Sequence, residues 1–482
     1  MVNDHSSSPV IEVDVAVLGA GPGGYTAAFR AADLGQRVAL IDSRDTPGGV
    51  CLHVGCIPSK TLLHTARVID EARELPGVSF GTPQIDVAAV RAGKDQVIRQ
   101  LTAGLAALAR QRKVTMVQGS ARFITPHSFS VAASGGTTTV RFRQAIIAAG
   151  SSPARLPGLP YGDPRLMDST AALEIADVPA RLLVIGGGII GLEMATVYRA
   201  LGSRVTLVEL TDQLLPGADA DIVEPLARRL AQCCETILLA TRVVSLEPLA
   251  QGLRVCFEGP NAPAPQVYDR VLLAVGRQPN GHRIGAEAAG VRVDARGFIA
   301  VDEQLRTNVP HIHAVGDIVG EPMLAHKAVH EGKVAAEVIA GHASSFEPGA
   351  IPLVAYTDPE VAWMGLTERE ARQGGVACEK AVFPWKANGR ALSAGRGEGL
   401  TKLLFEKGSR RLLGAGLVGP GAGELIAETV LALELGAQAA DLCTTIHPHP
   451  SHSETVAAAA EIAEGTITDL FIGSNQRITG AQ

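Results

Sequence analysis

A strand, a glycine turn, a helix and a second strand form a unit that occurs twice in the 482 residues, and this repeat most constrains the fold. Each copy has three glycines spaced as GxGxxG after an apolar run, and an acidic residue after the next apolar run. The acid follows the first glycine by 23 residues in both copies, Gly19 to Asp42 and Gly186 to Glu209. Equal spacing predicts an α/β chain with two Rossmann-like dinucleotide-binding domains.

The glycines and acids of these units have distinct physical roles. Missing side chains allow a tight turn, close approach of a pyrophosphate to the helix N-terminus, and packing of the helix on the strand. The acid would accept hydrogen bonds from ribose hydroxyls. A carboxylate at Glu209 would repel a 2′-phosphate, which predicts NAD and not NADP. The candidate dinucleotide-binding residues are Gly19, Gly21, Gly24 and Asp42 in the first unit, and Gly186, Gly188, Gly191 and Glu209 in the second.

Cys51 and Cys56 lie between the two units, five residues apart. Such residues on a regular helix are about 7.5 Å apart along the axis and face different directions. A disulfide needs its Cα atoms about 4.4–6.8 Å apart. The backbone between the cysteines must therefore bend, and Gly55 and Pro58 each permit or impose such a bend.

The bend separates the roles of the two cysteines. A helix that begins near Ile57 would place Cys56 at its positive end, with Lys60 one turn further on, and both effects lower the pKa of a thiol. Cys56 is then the candidate stable thiolate and Cys51 the exchanging thiol. Two buried structural cysteines are the alternative, but the spacing and the flanking residues favour a redox-active dithiol.

Composition describes a packed globular chain, with 46% hydrophobic residues, 19% charged residues and 53 glycines. The net charge of −6 and the lack of like-charge runs argue against nucleic acid as a partner. We see no apolar stretch of about 18 residues and no signal peptide, so we expect no membrane association and a cytoplasmic protein. Seven cysteines do not fit a secreted disulfide framework.

The stretch from Gly48 to Lys60 resembles, nearly residue for residue, the redox-disulfide signature of the flavoprotein disulfide reductases, and among them of the dihydrolipoamide dehydrogenases. Five motifs in the expected order extend the resemblance from Val13 to about Leu470. It implies FAD in the first dinucleotide site, NAD in the second, and a C-terminal α+β dimerisation domain. The implied limits are 1–152 and 281–349 for the two parts of the FAD-binding and central region, 153–280 for the NAD-binding domain and 350–482 for the dimerisation domain.

The resemblance also implies residues around the flavin. Glu193, just inside the second fingerprint helix, would pair with Lys60 near the flavin ring, and Asp317 would hold the ribityl chain. A solvated helix charge and an ordinary turn residue are the alternatives for Glu193 and Asp317. The other implied cofactor-lining residues are Gly150, Gly276, Gly316, Met323, Leu324, Ala325 and His326.

The segment His447–Glu454, HPHPSHSE, resembles the family motif HxHPTxSE. By position His449 is the acid–base residue and Glu454 its orienting carboxylate, and a histidine suits this work because its pKa lies near neutrality. Three close histidines also fit a metal site, but two prolines break any helix that could present them, so we expect no metal. Ser451 and His452 replace the usual threonine and leucine, and we expect His452 to be incidental.

The resemblance implies the reoxidation of dihydrolipoyl groups: the substrate reduces a Cys51–Cys56 disulfide, electrons pass through Cys56 to the flavin, and NAD⁺ takes the hydride. The implied partners are a second copy of the chain and the lipoyl-bearing E2 component of a 2-oxo acid dehydrogenase complex, or the glycine-cleavage lipoyl protein. Glu209 disfavours a glutathione reductase, and the absence of a C-terminal cysteine pair disfavours a mercuric reductase. A scaffold subunit that keeps its flavin without turnover is a further alternative.

Overall fold

A computed structural model gives the fold and describes residues 9–471. The strands are β1 (Val10–Leu18), β2 (Val38–Asp42), β3 (Thr115–Gln118), β4 (Ser120–Thr125), β5 (Ser128–Ala133), β6 (Gly136–Ile147), β7 (Ser151–Pro153), β8 (Leu166–Met167), β9 (Arg181–Ile185), β10 (Arg204–Val208), β11 (Thr236–Leu238), β12 (Arg242–Leu249), β13 (Gly252–Glu258), β14 (Gln266–Tyr268), β15 (Arg270–Leu273), β16 (Arg277–Pro279), β17 (Ile312–Ala314), β18 (Leu353–Ala355), β19 (Glu360–Gly365), β20 (Cys378–Pro384), β21 (Leu400–Glu406) and β22 (Leu412–Gly419).

The α-helices are α1 (Pro22–Asp33), α2 (Gly49–Val54), α3 (Cys56–Glu74), α4 (Val87–Gln111), α5 (Ser169–Leu173), α6 (Ile189–Leu201), α7 (Ala220–Cys233), α8 (Ala325–Ile339), α9 (Glu368–Gly374), α10 (Gly389–Ser393), α11 (Ala422–Glu434), α12 (Ala439–Thr444) and α13 (Glu454–Glu464). None of the helices between residues 9 and 471 has the length and apolar character that a membrane span requires.

The first sheet has the order β3-β2-β1-β6-β5-β4, with β17 also paired to β6. Strands β1, β2, β3, β6 and β17 are parallel, whereas β4, β5 and β6 form an antiparallel meander. Alternate residues of β1 face opposite layers, so Val15 and Val17 pack with α1 and α8 while Ala16 and Leu18 pack with the meander. Apolar residues on both faces are required because both faces are covered.

The second sheet is parallel and has the order β11-β10-β9-β15-β8. Its first four strands repeat the arrangement of β3, β2, β1 and β6 in the first sheet. A separate antiparallel sheet, β12-β13-β14, packs beside it. The prediction of two Rossmann-like domains is therefore confirmed.

Two short antiparallel strands connect these units. Strand β7 pairs with β16, with Ser151 opposite Pro279, and the Asn280 amide donates to the Gly150 carbonyl at 3.0 Å. The chain thus leaves the first unit through β7 and returns through β16. On this basis we propose domain limits at 152 and 280, and we propose a limit at 349 because the third sheet begins shortly after it, at β18. Residues 1–8 of the first domain and 472–482 of the last lie outside the described part.

The third unit is an antiparallel sheet of order β18-β19-β22-β21-β20. Helices α11 and α13 bury its apolar face, where Met364, Phe405 and Leu417 meet Ile426 and Val456. This is the expected C-terminal α+β domain.

Lys402 joins this third unit to the second. Its side chain is 2% exposed, and its Nζ lies 2.7 Å from Asp219, 2.6 Å from Asp221 and 2.9 Å from Glu368. The two aspartates are at the start of α7, and Glu368 begins α9. The carboxylates have the spacing of a metal site, but the ammonium group lies among them and compensates their charge.

Candidate active site

The bend expected between the two cysteines lies at Gly55, where α2 ends and α3 begins. A Cβ atom on Gly55 would lie 2.9 Å from the carbonyl oxygen of Val50 and 3.1 Å from the Cα of Cys51. Only glycine therefore allows the helices to approach this closely. Helix α3 begins at Cys56 itself, one residue before the expected start near Ile57.

Cys51 and Cys56 are free, half-buried thiols in this structure. The hydrogen bond from Cys51 lowers the pKa of Cys56, and the charge of Lys60 lowers it further against the opposing effect of burial. The same hydrogen bond, together with burial, raises the pKa of Cys51. These opposite shifts, the start of helix α3 at Cys56 and the charge of Lys60 support Cys56 as the thiolate.

Two ion pairs fix the dithiol helix α3 to the second fingerprint helix α6. Lys60 Nζ lies 2.8 Å and 2.9 Å from the two carboxylate oxygens of Glu193, a residue that is 3% exposed. Tyr356 of the third unit adds its backbone amide to Glu193 at 3.2 Å and places its ring 4.6 Å from Lys60 Nζ. The sequence predicted the Lys60–Glu193 pair but not the second ion pair between the two helices, which joins Asp70 to Arg199.

The three glycines of the first fingerprint differ in the space around them: two have no room for a side chain, and the third does. A Cβ atom would lie 2.2 Å from the Ala148 carbonyl oxygen at Gly19, and 1.8 Å from the Gly19 carbonyl oxygen at Gly24. At Gly21 the nearest atom is the Cα of Gly49, at 3.9 Å. The outer glycines are required by chain packing, whereas the middle one faces open space at the start of α1.

The second fingerprint repeats this division position by position. A Cβ atom would lie 2.3 Å from the Ala274 carbonyl oxygen at Gly186, and 2.0 Å from the Gly186 carbonyl oxygen at Gly191. No atom lies within 4 Å of a Cβ on Gly188. Open space at a helix N-terminus fits a dinucleotide pyrophosphate, so both cradles fit the cofactors expected of them.

The acids at the strand ends close the two glycine turns. The Ala20 amide donates to Asp42 Oδ2 at 2.7 Å, and the Gly187 amide donates to Glu209 Oε2 at 2.7 Å. Thr211 donates from its amide and its hydroxyl to the other oxygen of Glu209, both at 2.8 Å. Both acids remain partly exposed and keep acceptor capacity for ribose hydroxyls.

Three polar side chains meet at the edge of the first cradle. Ser151 Oγ donates to Asp317 Oδ2 at 2.5 Å, and Arg277 Nε donates to Ser151 Oγ at 2.6 Å. Sequence reasoning found Asp317 but not its two partners, although Arg277 directly follows the expected cofactor-lining residue Gly276. Each of the three follows an expected glycine with positive φ, namely Gly150 (63°), Gly276 (109°) and Gly316 (83°).

The expected flavin-lining segment, 323–326, leads into helix α8 with Met323, Leu324 and Ala325 half-buried and His326 exposed. His326 Nε2 lies 2.8 Å from the Pro352 carbonyl oxygen. The next turn holds a buried ion pair between Lys327 and Glu331 at 2.8 Å, and Glu331 accepts the Gly316 amide at 2.6 Å. The Lys327–Glu331 pair fixes the loop before Asp317. Sequence reasoning missed this pair, although a lysine and a glutamate four residues apart on a helix are a recognisable signal for it.

His449 and Glu454 form a pair on the third unit. His449 Nδ1 lies 2.8 Å from Glu454 Oε1, and the Ser451 amide donates to Glu454 Oε2 at 2.6 Å. Burial opposes the ionisation of Glu454, but these two hydrogen bonds outweigh it and lower its pKa. The His449 side chain is 79% exposed. In residues 9–471, no hydrogen bond or ion pair joins His449 or Glu454 to Cys51 or Cys56 of the same chain.

The neighbouring histidines have different surroundings. His447 is buried against Glu428, with Nε2 2.6 Å from its carboxylate. His452 stacks on the Trp385 indole, with ring centroids 4.7 Å apart and an interplanar angle of 20°. The His452 ring thus packs against the core of the third unit, and the expectation that it is incidental to the chemistry stays a prediction.

Comparison with known protein families matches almost the entire described chain. The model of the pyridine nucleotide-disulphide oxidoreductases matches residues 13–332, and that of their dimerisation domain matches residues 351–460. The chain belongs to the pyridine nucleotide-disulphide oxidoreductase family. The second match confirms that residues 351–460 form a dimerisation domain, and enzymes of this family that are dihydrolipoyl dehydrogenases use FAD and NAD.

Curated relatives within this family are dihydrolipoyl dehydrogenases. Those of Vibrio cholerae serotype O1 and Haemophilus influenzae are each 53% identical over 466 residues, which cover 96% of this chain and 98% and 97% of the relatives. That of Geobacillus stearothermophilus is 42% identical over 458 residues, 95% of this chain and 97% of the relative.

Solved structures agree with the fold. LpdA from Mycobacterium tuberculosis has a TM-score of 0.85 at 26% identity, over 94% of this chain and 99% of that chain. The Cu(II) complex of the HOCl-induced flavoprotein disulfide reductase RclA from Escherichia coli has a TM-score of 0.84 at 27% identity, over the same shares.

The two kinds of fingerprint glycine predict opposite mutational effects. Gly188→Ala should fold with an unchanged melting temperature, because its φ of −79° suits alanine and nothing blocks the new methyl group, but it should weaken NAD⁺ binding about tenfold. Gly191→Ala should unfold at a lower temperature, because its methyl group overlaps the Gly186 carbonyl oxygen. Thermal unfolding and NAD⁺ titration measure both effects. Equal melting temperatures for the two variants would contradict this assignment.

The opposite pKa shifts of Cys51 and Cys56 predict that Cys56 ionises first. Residue-specific alkylation with iodoacetamide, quantified by mass spectrometry across pH on the reduced enzyme, should give Cys56 a midpoint below the ordinary value of about 8.5 and below that of Cys51. Cys51→Ala should raise the Cys56 midpoint, whereas Cys51→Ser should not, because a hydroxyl still donates. A lower midpoint for Cys51 than for Cys56 would reverse the two roles.

Proposed function

We propose that this protein is a dihydrolipoyl dehydrogenase that oxidises dihydrolipoyl groups with NAD⁺ as the acceptor. The observation that carries the proposal is one dithiol fixed by Lys60 and Glu193 between two dinucleotide cradles. Identity of 53% to dihydrolipoyl dehydrogenases over 96% of the chain supports the choice of substrate. FAD, when bound in the first cradle, supplies the chemistry that converts thiol oxidation into hydride transfer.

The dithiol performs the first half of the reaction by thiol–disulfide exchange. A substrate thiolate attacks the Cys51 sulfur of the oxidised pair, a mixed disulfide forms, and Cys56 leaves as a thiolate. The second substrate thiol then displaces Cys51, which leaves with a proton while the lipoyl group departs as a cyclic disulfide. The lowered pKa of Cys56 favours its departure, since a more acidic thiol is the better leaving group.

His449 prepares the substrate thiol for this attack. Because Nδ1 faces the Glu454 carboxylate, the ring is oriented and Nε2 is left to take the thiol proton. The carboxylate, which the Ser451 amide also holds, then stabilises the imidazolium that results.

The two halves of this site come from two chains. His449 lies in the dimerisation domain with most of its side chain exposed, whereas the dithiol belongs to the first nucleotide unit. Ile446 and Leu435, which lie on the same domain, are 96% and 75% exposed. Exposed apolar side chains on a domain that matches a dimerisation model support a surface that a second chain covers. A two-fold homodimer would cover them and bring His449 of one chain to Cys51 and Cys56 of the other.

The partner that presents the substrate follows from the same chemistry. A lipoyl group carried on the E2 component of a 2-oxo acid dehydrogenase complex, or on the glycine-cleavage lipoyl protein, is the substrate we propose. We also propose a cytoplasmic location, because a protein disulfide in a reducing compartment is usually a catalytic one.

The activity is tested by following NADH absorbance with dihydrolipoamide and NAD⁺ as substrates. We expect turnover with NAD⁺, and a kcat/KM for NADP⁺ lower by about 100-fold or more, because Glu209 would face its 2′-phosphate. Comparable kcat/KM values for NAD⁺ and NADP⁺ would show that Glu209 does not select between the two nucleotides. Bound flavin without any dihydrolipoamide turnover would favour a scaffold subunit over an enzyme.

The shared site is tested by complementation. Cys51→Ser and His449→Ala chains should each be inactive, but a mixture that has been dissociated and reassociated should recover about one quarter of the wild-type activity, because half of the dimers would be mixed and each would hold one intact site. Mixtures of either variant with itself are the controls. Mixed dimers as inactive as their parents would place His449 at its own chain's cysteines.

A further inference from the structure

The loop 449–454 rests on Trp385. The indole is fully buried, and its Nε1 donates to Thr401 Oγ1 at 3.0 Å. Glycines leave space for it: a Cβ atom on Gly419 would lie 2.1 Å from the indole, and one on Gly399 would lie 2.7 Å from it. The indole is therefore confined and offers the loop a rigid surface.

Three contacts hold the loop on this surface. The His452 ring stacks on the indole, Thr455 Oγ1 donates to the His452 carbonyl at 2.7 Å, and Asn388 Nδ2 donates to the Ser451 carbonyl at 3.0 Å. Thr455 is 0% exposed and Asn388 is 5% exposed, so both donors are themselves fixed. Ser451 is thus held by its carbonyl group, and His452 is held by its carbonyl group and its ring, just before Glu454 in the chain.

The position of the His452 ring suits only its neutral form. Its Nε2 is buried without a hydrogen-bond partner. Among residues 9–471, Arg390 and Arg396 are the charged groups that act on the ring, and Arg396 is held by Asp358 at 2.5 Å and Glu398 at 2.7 Å. Burial and these two arginines lower the pKa of His452.

We propose that His452 is a positioning residue for His449 and Glu454, and that its protonation releases the loop from Trp385 and inactivates the pair in acid. A protonated Nε2 would be a buried donor without an acceptor, beside two guanidinium groups. The other titratable groups of the loop are His449 and Glu454 themselves, with His447 paired to Glu428 beyond them. The proposal rests on the proposed function for the role of His449, but the stack itself can be tested without turnover.

Fluorescence tests the stack. The chain has two tryptophans, so Trp363→Phe leaves Trp385 as the reporter in the intact protein. Its emission should change in a single transition below pH 6.5, the ordinary histidine midpoint, because a protonated ring quenches or leaves the indole. The transition should be absent from the Trp363→Phe, His452→Leu double variant. The same transition in both proteins, or in neither, overturns the proposal.

Kinetics test the positioning role. On the acid side, the slope of log kcat/KM for dihydrolipoamide against pH should be greater by one proton in the wild type than in His452→Leu. The leucine keeps an apolar side chain on the indole but cannot be protonated. His452→Ala, which leaves the indole uncovered, should lose about tenfold in kcat at every pH, and His452→Leu should restore most of it. Equal slopes for wild type and His452→Leu overturn the proposal. A wild type without dihydrolipoamide turnover instead overturns the proposed function, and the fluorescence result then decides whether the stack titrates.

Discussion

The ion pair between Lys60 and Glu193 is the constraint on which the placement of the dithiol depends. A carboxylate that is 3% exposed is costly to remove from water, and breaking such a pair by removing one partner typically costs about 3–5 kcal/mol. Helix α3 therefore cannot slide along α6 without leaving this charge uncompensated. As a result, Cys56 keeps one fixed relation to the second fingerprint turn, and the charge of Lys60 stays close enough to favour the thiolate.

Much of the fold could be predicted from the sequence because it depends on local backbone constraints. Gly24 and Gly191 are required by contacts with carbonyl oxygens five residues earlier, so their spacing appears directly in the chain. The bend at Gly55 is local in the same sense. The positions of Asp42 and Glu209 follow from the length of the helix and strand between each turn and its acid.

Contacts between distant segments could not be predicted in this way. Ser151 meets Asp317 and Arg277 across separations of 166 and 126 residues, and none of the three has a pattern that specifies the others. The contact between His452 and Trp385 likewise follows from no periodicity in the sequence. The resemblance supplied Asp317 and the Lys60–Glu193 pair, but it could not supply a contact made by a residue that departs from the family motif.

The histidines of one short segment show how surroundings decide chemistry. His447 directs both ring nitrogens at acceptors, the Thr445 carbonyl and Glu428, and has none left for a substrate. His452 is packed against an indole. Only His449 is both oriented by a carboxylate and open to solvent on its other side. The same residue type thus serves as a structural contact, a packing surface and a candidate base.

The pairing of β7 with β16 makes the second nucleotide unit a self-contained insert. Its entry and exit lie side by side, with Pro153 opposite Arg277, so the ends of the insert are already joined at the point where it meets its host. The entropy of closing a loop grows only with the logarithm of its length, about 0.6 kcal/mol for each doubling, so even this long excursion adds only about 3 kcal/mol to the closure of the host sheet. The architecture is therefore modular: the two nucleotide units share this two-stranded junction but no sheet, so neither unit fixes the strand register of the other.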